Sequence, residues 1–237
     1  MKRVLITMGN RNETITEAVC GEYRREGYEV IRSEADTREQ ICGFFKDLNA
    51  QTMFDEMIYI VRQPEYLSVM DEDFYGRITE IIDQDLRVCY WWLQETVRKT
   101  KVLGLPCGIV LLNHISSVVP TQKYSYCSTS QAAMANMAKV AAVEAAKAGM
   151  NIRINTLVAG WNQENRDEEA FIHDLEKIHA GDSCPILEMV SAEEIAQSCF
   201  CLNQMRGATG STVIMDRGYS VTRQIREVDY YKKGKNR

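Results

Sequence analysis

The stretch from Val4 to Ile31, VLITMGNRNETITEAVCGEYRREGYEVI, decides the fold. Val4 to Thr7 is a short β-branched and apolar run, after which Ile15, Ala18, Val19 and Tyr23 recur at helical spacing until Gly27 stops them. Tyr28 to Ile31 then reads as a second strand. The opening is therefore strand, turn, helix and strand.

The same alternation continues outward from this unit. Asp36-Thr37-Arg38-Glu39 opens a second helix with an N-cap and a pattern resembling a capping box. Met57 to Val61 reads as a third strand, followed by a long helix over Phe74 to Lys99 and a buried strand over Gly108 to Leu112. An alanine-rich helix from Thr129 to Ala148, a strand from Ile152 to Val158, a helix from Ser191 to Met205 and a strand from Ser211 to Met215 complete the series. Strands alternating with helices predict an α/β fold, a doubly wound parallel sheet covered on both faces in a single domain. No internal repeat is visible.

Composition narrows the class. The formal charge of −5 argues against a protein that coats nucleic acid and leaves small molecules or other proteins as partners. Only the end of the chain is basic: Arg217, Arg223, Arg226, Lys232, Lys233, Lys235 and Arg237 outnumber Glu227 and Asp229. We read residues 1–220 as the folded domain and 221–237 as a basic tail. Met1-Lys2-Arg3 runs straight into an apolar strand, and no stretch reaches membrane length, so the expectation is a cytoplasmic protein without membrane contact. The 8 cysteines are scattered and mostly sit in apolar segments, as reduced core thiols do. Cys199-Phe200-Cys201 lacks a second ligand pair, so no metal site is expected.

Several segments, in order, resemble the short-chain dehydrogenase/reductase family. They are Val4 to Gly27, Ile81 to Arg87, Gly108 to Ser117, Gln131-Ala132-Ala133, Ile152-Arg153-Ile154-Asn155, Ala159-Gly160-Trp161, Ser191 to Ala196, and Thr209-Gly210 through Tyr219. The resemblance implies a Rossmann-like sheet with ligands beyond the carboxyl ends of the strands. One departure is architectural. Few residues separate Ile31 from the helix at Asp36, where the family places a further helix and strand, so the edge strand beyond the second strand is expected to be missing.

The family carries glycines after its first strand, letting backbone amides approach a pyrophosphate at a helix N-terminus. The matching residues here are Thr7-Met8-Gly9-Asn10-Arg11-Asn12-Glu13-Thr14, with Met8, Asn12 and Thr14 at the glycine positions and a carboxylate at Glu13 where phosphates would lie. Thr7, Gly9, Arg11 and Asn12 are the remaining candidates for holding an anion. Arg62-Gln63-Pro64-Glu65 replaces the family's turn after the third strand. Glu34 or Asp36 stands near the place of a ribose-binding acid, or simply caps a helix.

The family's chemistry implies a tyrosine acid with a lysine four residues on, a serine that orients the substrate oxygen, and an asparagine that supports a water relay. Those positions fall on Cys127, Gln131, Ser116 or Ser117, and Asp85. A neutral glutamine cannot lower a phenol's pKa as an ammonium does. Tyr126 stands one residue from the expected tyrosine. Tyr124 precedes Gln131 at the wider spacing of the enoyl-acyl-carrier-protein reductase branch. Cys127 as a nucleophile needs a base, and His114 is the only candidate the fold would bring near; the other reading is a structural thiol. His173 and His179 lie among acidic residues and read as a surface helix.

Two functions stay open from the residues. In the first the chain is a catalytically degenerate member with no cofactor, forming a homo-oligomer or pairing with an active paralogue. Val88 to Trp92 and Ala132 to Ala146 would then supply contacts on the two helices by which the family associates, unless the aromatic run faces the sheet. In the second it is an NAD(P)-dependent oxidoreductase using Tyr124 or Tyr126 with Ser116 or Ser117. Binding of another small molecule in the vestigial pocket is a third possibility.

Overall fold

The computed structural model describes residues 1–8, 12–62, 67–120, 124–162 and 189–221. Six strands, β1 (Arg3–Met8), β2 (Glu29–Ser33), β3 (Glu56–Ile60), β4 (Cys107–His114), β5 (Ile152–Ala159) and β6 (Thr212–Met215), form one sheet in the order β2-β1-β3-β4-β5-β6. Every pairing is parallel. Between the strands run α1 (Glu13–Arg25), α2 (Arg38–Lys46), α3 (Phe74–Leu103) and α4 (Ser125–Lys147), with α5 (Ala192–Gln204) before β6. The chain steps outward from β1 to β2 and then returns to the other side of β1. Strand order therefore reverses between β1 and β3, the point at which open α/β sheets bind ligands.

Alternation of side chains along β1 divides the core. Val4 and Ile6 join Val19, Tyr23, Ile195 and Cys199 beneath α1 and α5, whereas Leu5 joins Met57, Trp92, Met134 and Ala138 beneath α2, α3 and α4. All of β3 and β4 is buried, as inner strands covered on both faces require.

As expected, β2 is the outermost strand on its side among the described residues. The residues after it turn directly into α2, whose N-cap Thr37 completes a capping box with Gln40. Ion pairs from Arg3 to Glu29 and from Arg32 to Glu13 put charge along this open edge, which discourages further strand pairing.

At the opposite end of the strands, buried Glu56 accepts hydrogen bonds from Tyr23 Oη (3.0 Å), Tyr28 Oη (2.8 Å) and Gln204 Nε2 (3.0 Å). These bonds fasten α1 and α5 to the start of β3. Burial, and then the Glu56 charge, hold the Tyr23 phenol well above its ordinary pKa.

One expectation needs correction, and one open alternative is decided. The alanine-rich helix begins at Ser125 rather than Thr129: Ser128 N–H donates to Tyr124 O (2.9 Å), and Tyr126 and Cys127 are helical, buried residues. The missing signal was apolar periodicity, because the first turn of α4 rests on hydrogen bonds and aromatic packing. The run Val88 to Trp92 is also mostly core. Val88, Cys89 and Trp92 face the sheet and Trp92 Nε1 donates to Ala35 O (3.0 Å), whereas Tyr90 points to solvent and Trp91 is half-buried under Arg87. The basic tail beyond Val221 lies outside the described residues, as do His173 and His179.

Gly160 closes β5 where a Cβ would stand 2.8 Å from Asp216 Cα, a backbone atom that cannot swing away. Gly160→Ala is expected to lower stability by about 1–3 kcal/mol. Gly21→Ala, inside α1 with nothing within 4 Å of its Cβ, should raise it by about 0.5–1 kcal/mol. Denaturant melts of the two variants beside the parent check both signs.

Candidate functional site

Because the strands are all parallel, the carboxyl ends of β1, β3, β4, β5 and β6 open onto the same edge of the sheet. The best-connected polar residues of that edge lie where β4 ends and α4 begins. β4 finishes at Asn113-His114, and a short 3-10 turn over Ile115–Ser117 follows. Ser116 N–H donates to His114 Nδ1 (3.2 Å), so this nitrogen acts as an acceptor. Ser116 Oγ lies 3.0 Å from His114 Nδ1 and 3.1 Å from Cys127 Sγ.

Gln131, one turn further along α4, is held three ways. Its Oε1 accepts from His114 N–H (2.6 Å), its Nε2 donates to Cys127 Sγ (2.9 Å), and its backbone carbonyl accepts from Asn113 Nδ2 (2.7 Å). The result is a closed ring of hydrogen bonds through His114, Ser116, Cys127 and Gln131. All four side chains are buried.

The structure thus brings together Ser116, Cys127 and Gln131, the residues expected at the family's serine, tyrosine and lysine positions. It separates Ser116 from Ser117, which sequence order alone left equivalent: Ser117 Oγ donates to His114 O (2.8 Å), a local turn bond. Tyr124 caps the start of α4, with its ring stacked on His114 (centroids 5.8 Å apart) and edge-on to Trp161 (5.4 Å). Tyr126 is buried in the same cluster as Leu67, Ile115 and Cys127. Asp85, expected at the asparagine position, is buried on α3, and its charge adds to burial in pushing the Cys89 and Tyr59 pKa values up.

Sequence reasoning missed Trp161 and Tyr219 as the aromatic cover beside His114, with rings 4.7 Å from His114 to Trp161 and 5.9 Å from Trp161 to Tyr219. The available signal was the position of Trp161, immediately after the glycine that ends β5.

The end of β1 and the start of α1 are built differently. Thr7 is wholly buried at the end of β1, and its Oγ1 has no hydrogen-bond partner among the described residues. Asn12 occupies the N-cap of α1 without a side-chain cap bond. Its backbone carbonyl accepts from Thr16 Oγ1 (2.7 Å). Gly9, Arg11 and residues 63–66 lie outside the described residues.

In the first turn of α1, both oxygens of Glu13 accept from Arg32 (2.9 and 2.6 Å). The same guanidinium also takes Glu17 (2.7 Å) and Glu34 (2.8 Å). The Arg32 hydrogen bonds hold the Glu13 carboxyl below its ordinary pKa, so it is charged at neutral pH. Among the described residues, three carboxylates surround the one Arg32 guanidinium, and a diphosphate brought to the helix N-terminus would meet the Glu13 charge. The described residues do not fit the phosphates of a nicotinamide dinucleotide. Glu34 is engaged with Arg32, and Asp36 precedes the Thr37 cap with its N–H donating to Gln40 Oε1 (3.2 Å).

The described residues contain no group of three or more potential metal ligands, and no helix among them is long and apolar enough to cross a membrane.

Comparison with known proteins gives a consistent picture. The family model for enoyl-(acyl carrier protein) reductase matches residues 77–220. No curated protein matches. Among solved structures, a short-chain type dehydrogenase/reductase from Mycobacterium marinum superposes with a TM-score of 0.78 at 21% identity, over 92% of this chain and 95% of that one. A short-chain dehydrogenase family protein from Francisella tularensis subsp. tularensis SCHU S4 gives 0.68 at 18%, over 93% and 99%. A small-chain dehydrogenase in complex with NADPH gives 0.71 at 19%, over 92% and 98%.

Gln131→Met keeps the volume of the side chain but leaves the buried His114 N–H without its acceptor. It is expected to destabilise the fold by about 1–3 kcal/mol, whereas Ser117→Ala at the neighbouring turn should cost under about 1 kcal/mol. Thermal melts of both variants test whether the ring carries this stability.

Proposed function

Because the chain belongs to the short-chain dehydrogenase/reductase superfamily, yet ties a neutral glutamine and a thiol together where the family's chemistry needs a lysine and a phenol, we propose that it is a catalytically degenerate member kept for its shape and its associations. The observation that carries this reading is the bonding of Gln131. Its amide is spent on His114 N–H and Cys127 Sγ, so the position from which an ammonium would lower a phenol's pKa is filled by an uncharged group already in use. The Glu13–Arg32 pair at the start of α1 supports the same reading at the cofactor end. Structural neighbours of this chain hold NADP or NADPH. For this chain we propose no nicotinamide cofactor.

Hydride transfer with Tyr124 or Tyr126 as the acid and Ser116 or Ser117 as the orienting hydroxyl is the competing function, and it lacks the same cation. Tyr124 is moreover packed between His114 and Trp161 as part of the core.

The proposed role is a subunit of a homo-oligomer or of a hetero-oligomer with an active paralogue. The outward ridge of α4 supports it. Ala133, Asn136, Val140 and Val143 recur at helical spacing on the exposed side, with both valines more than half exposed, and Tyr90 of α3 is half exposed.

Calorimetric titration with NAD+, NADH, NADP+ and NADPH tests the cofactor half. No binding up to millimolar ligand is expected, and a micromolar Kd for any of the four would overturn it. Native mass spectrometry tests the association half. The purified chain, or the chain with a co-expressed paralogue, should run as an oligomer that the double change Val140→Asp with Val143→Asp converts to monomer while the melting curve stays cooperative.

A further inference from the structure

Large apolar side chains stand open to solvent where α3 begins: Val69 (65% exposed), Met70 (86%) and Tyr75 (83%). Carboxylates surround them. Asp71, Glu72, Asp73, Glu80, Asp83 and Asp85 share this stretch with the single cation Arg77. Part of that charge is used locally, since Asp71 accepts from Ser68 N–H (2.8 Å), Asp73 pairs with Arg77 (3.7 Å) and Asp83 pairs with Arg87. Glu72 and Glu80 have no cationic partner among the described residues. An exposed apolar patch rimmed by charge is the surface pattern of an association site.

The chain carries a segment of matching chemistry. Residues 222–237 hold six basic residues against Glu227 and Asp229, with Ile225, Val228, Tyr230 and Tyr231 between them. The point from which this segment departs is also fixed. The described residues end at Val221, just after Tyr219, whose ring lies 5.9 Å from that of Trp161. Tyr219 packs against the same aromatic cluster as Phe74 and Ile78, which belong to the first turns of α3. A segment of this length spans up to about 50 Å when extended, whereas three turns of helix measure about 16 Å.

From this juxtaposition we propose that residues 222–237 dock on the start of α3 of their own chain, with their cations against Glu72 and Glu80 and their apolar side chains over Val69, Met70 and Tyr75. Charge sets the register of such a contact, and the apolar cover supplies affinity. A tail laid there also covers the half-buried Phe74 and Ile78, closing the outer side of the cluster that holds Tyr124 and Trp161. Docking within one chain is favoured over docking on a second copy because the tail starts at the cluster its target packs against. Tethering then gives it a local concentration of about 1 mM, far above that of a partner chain in dilute solution. This inference goes beyond the degenerate-dehydrogenase reading and does not depend on whether nucleotides bind.

Methionine oxidation reads the patch directly in the full chain, and the chain supplies its own control. Met70 lies within the patch. Met205, 54% exposed, lies at the opposite end of the sheet, where its carbonyl accepts from Arg153 near the start of β5. The test is a pulse of hydrogen peroxide on the intact protein, quenched and read as methionine sulfoxide by peptide mass spectrometry. With the tail undocked, the more exposed Met70 would be oxidised faster than Met205.

A tail docked about nine-tenths of the time, as an affinity about ten-fold tighter than the local concentration gives, should slow Met70 about ten-fold and bring it below Met205. Reversing the tail, with Arg223→Glu, Arg226→Glu, Lys232→Glu and Lys233→Glu together, should raise Met70 above Met205 while Met205 keeps its rate. Glu72→Lys with Glu80→Lys on the parent tail should do the same from the other side of the contact, and the two sets combined should restore the protection. A variant that loosened the whole fold would reveal itself by oxidation of the buried Met57 and Met134, and the other set then decides. Met70 oxidised faster than Met205 in the parent overturns the proposal. So does protection that survives reversal of the tail, which would assign the cover to another segment, or protection lost on dilution, which would assign it to a second copy.

Discussion

The tie between Gln131 and the end of β4 is the constraint on which the site depends. A strand end and a helix start meet there with several backbone and side-chain polar groups out of reach of water, and each of these would cost about 1–3 kcal/mol if left unpaired. One residue satisfies three of them: the His114 N–H, the Asn113 Nδ2–H and the Cys127 sulfur. Because Gln131 is fixed on α4 and the Asn113-His114 pair on β4, the two elements can separate only by breaking the bonds between them together. Tyr124 and Trp161 then pack against the His114 ring, whose position that tie has settled.

At the other end of the cleft, charge decides what can approach. A helix N-terminus favours an anion, and in this chain the anion is covalent: Glu13, in the first turn of α1. Pairing with Arg32 on β2 relieves its repulsion with Glu17 and Glu34 and fixes α1 against the sheet edge. Such exposed pairs contribute little to stability. Their effect is on incoming ligands, because the arginine that would attract a phosphate is already surrounded by carboxylates.

The architecture was legible because it follows from periodicity. β1 and α1 declare themselves by apolar spacing that Gly27 ends, and the short passage from Ile31 to Asp36 left no room for a further helix and strand, so β2 had to be an edge. Counting along the chain also singled out Cys127, Gln131 and Asp85 as candidates for the family's catalytic positions, and the structure brings the first two into hydrogen-bond contact. What counting cannot supply is direction. Whether Ser116 or Ser117 turns toward Cys127 depends on the 3-10 turn after His114, and whether Tyr90 or Trp92 faces the sheet depends on the rotation of α3. The pairing of Glu13 with Arg32 joins residues on different elements. It has no trace in either local pattern.

The space around the Cys127 thiol is closed by aromatic side chains. A thiol is far smaller than a phenol, and a void of that difference inside a close-packed domain would cost several kcal/mol. Here Tyr124, Tyr126 and Trp161 are all buried in the cluster that holds Cys127, and hydrogen bonds from Ser116 and Gln131 reach its sulfur directly. Aromatic packing and polar pairing therefore agree on one arrangement of the residues around Cys127.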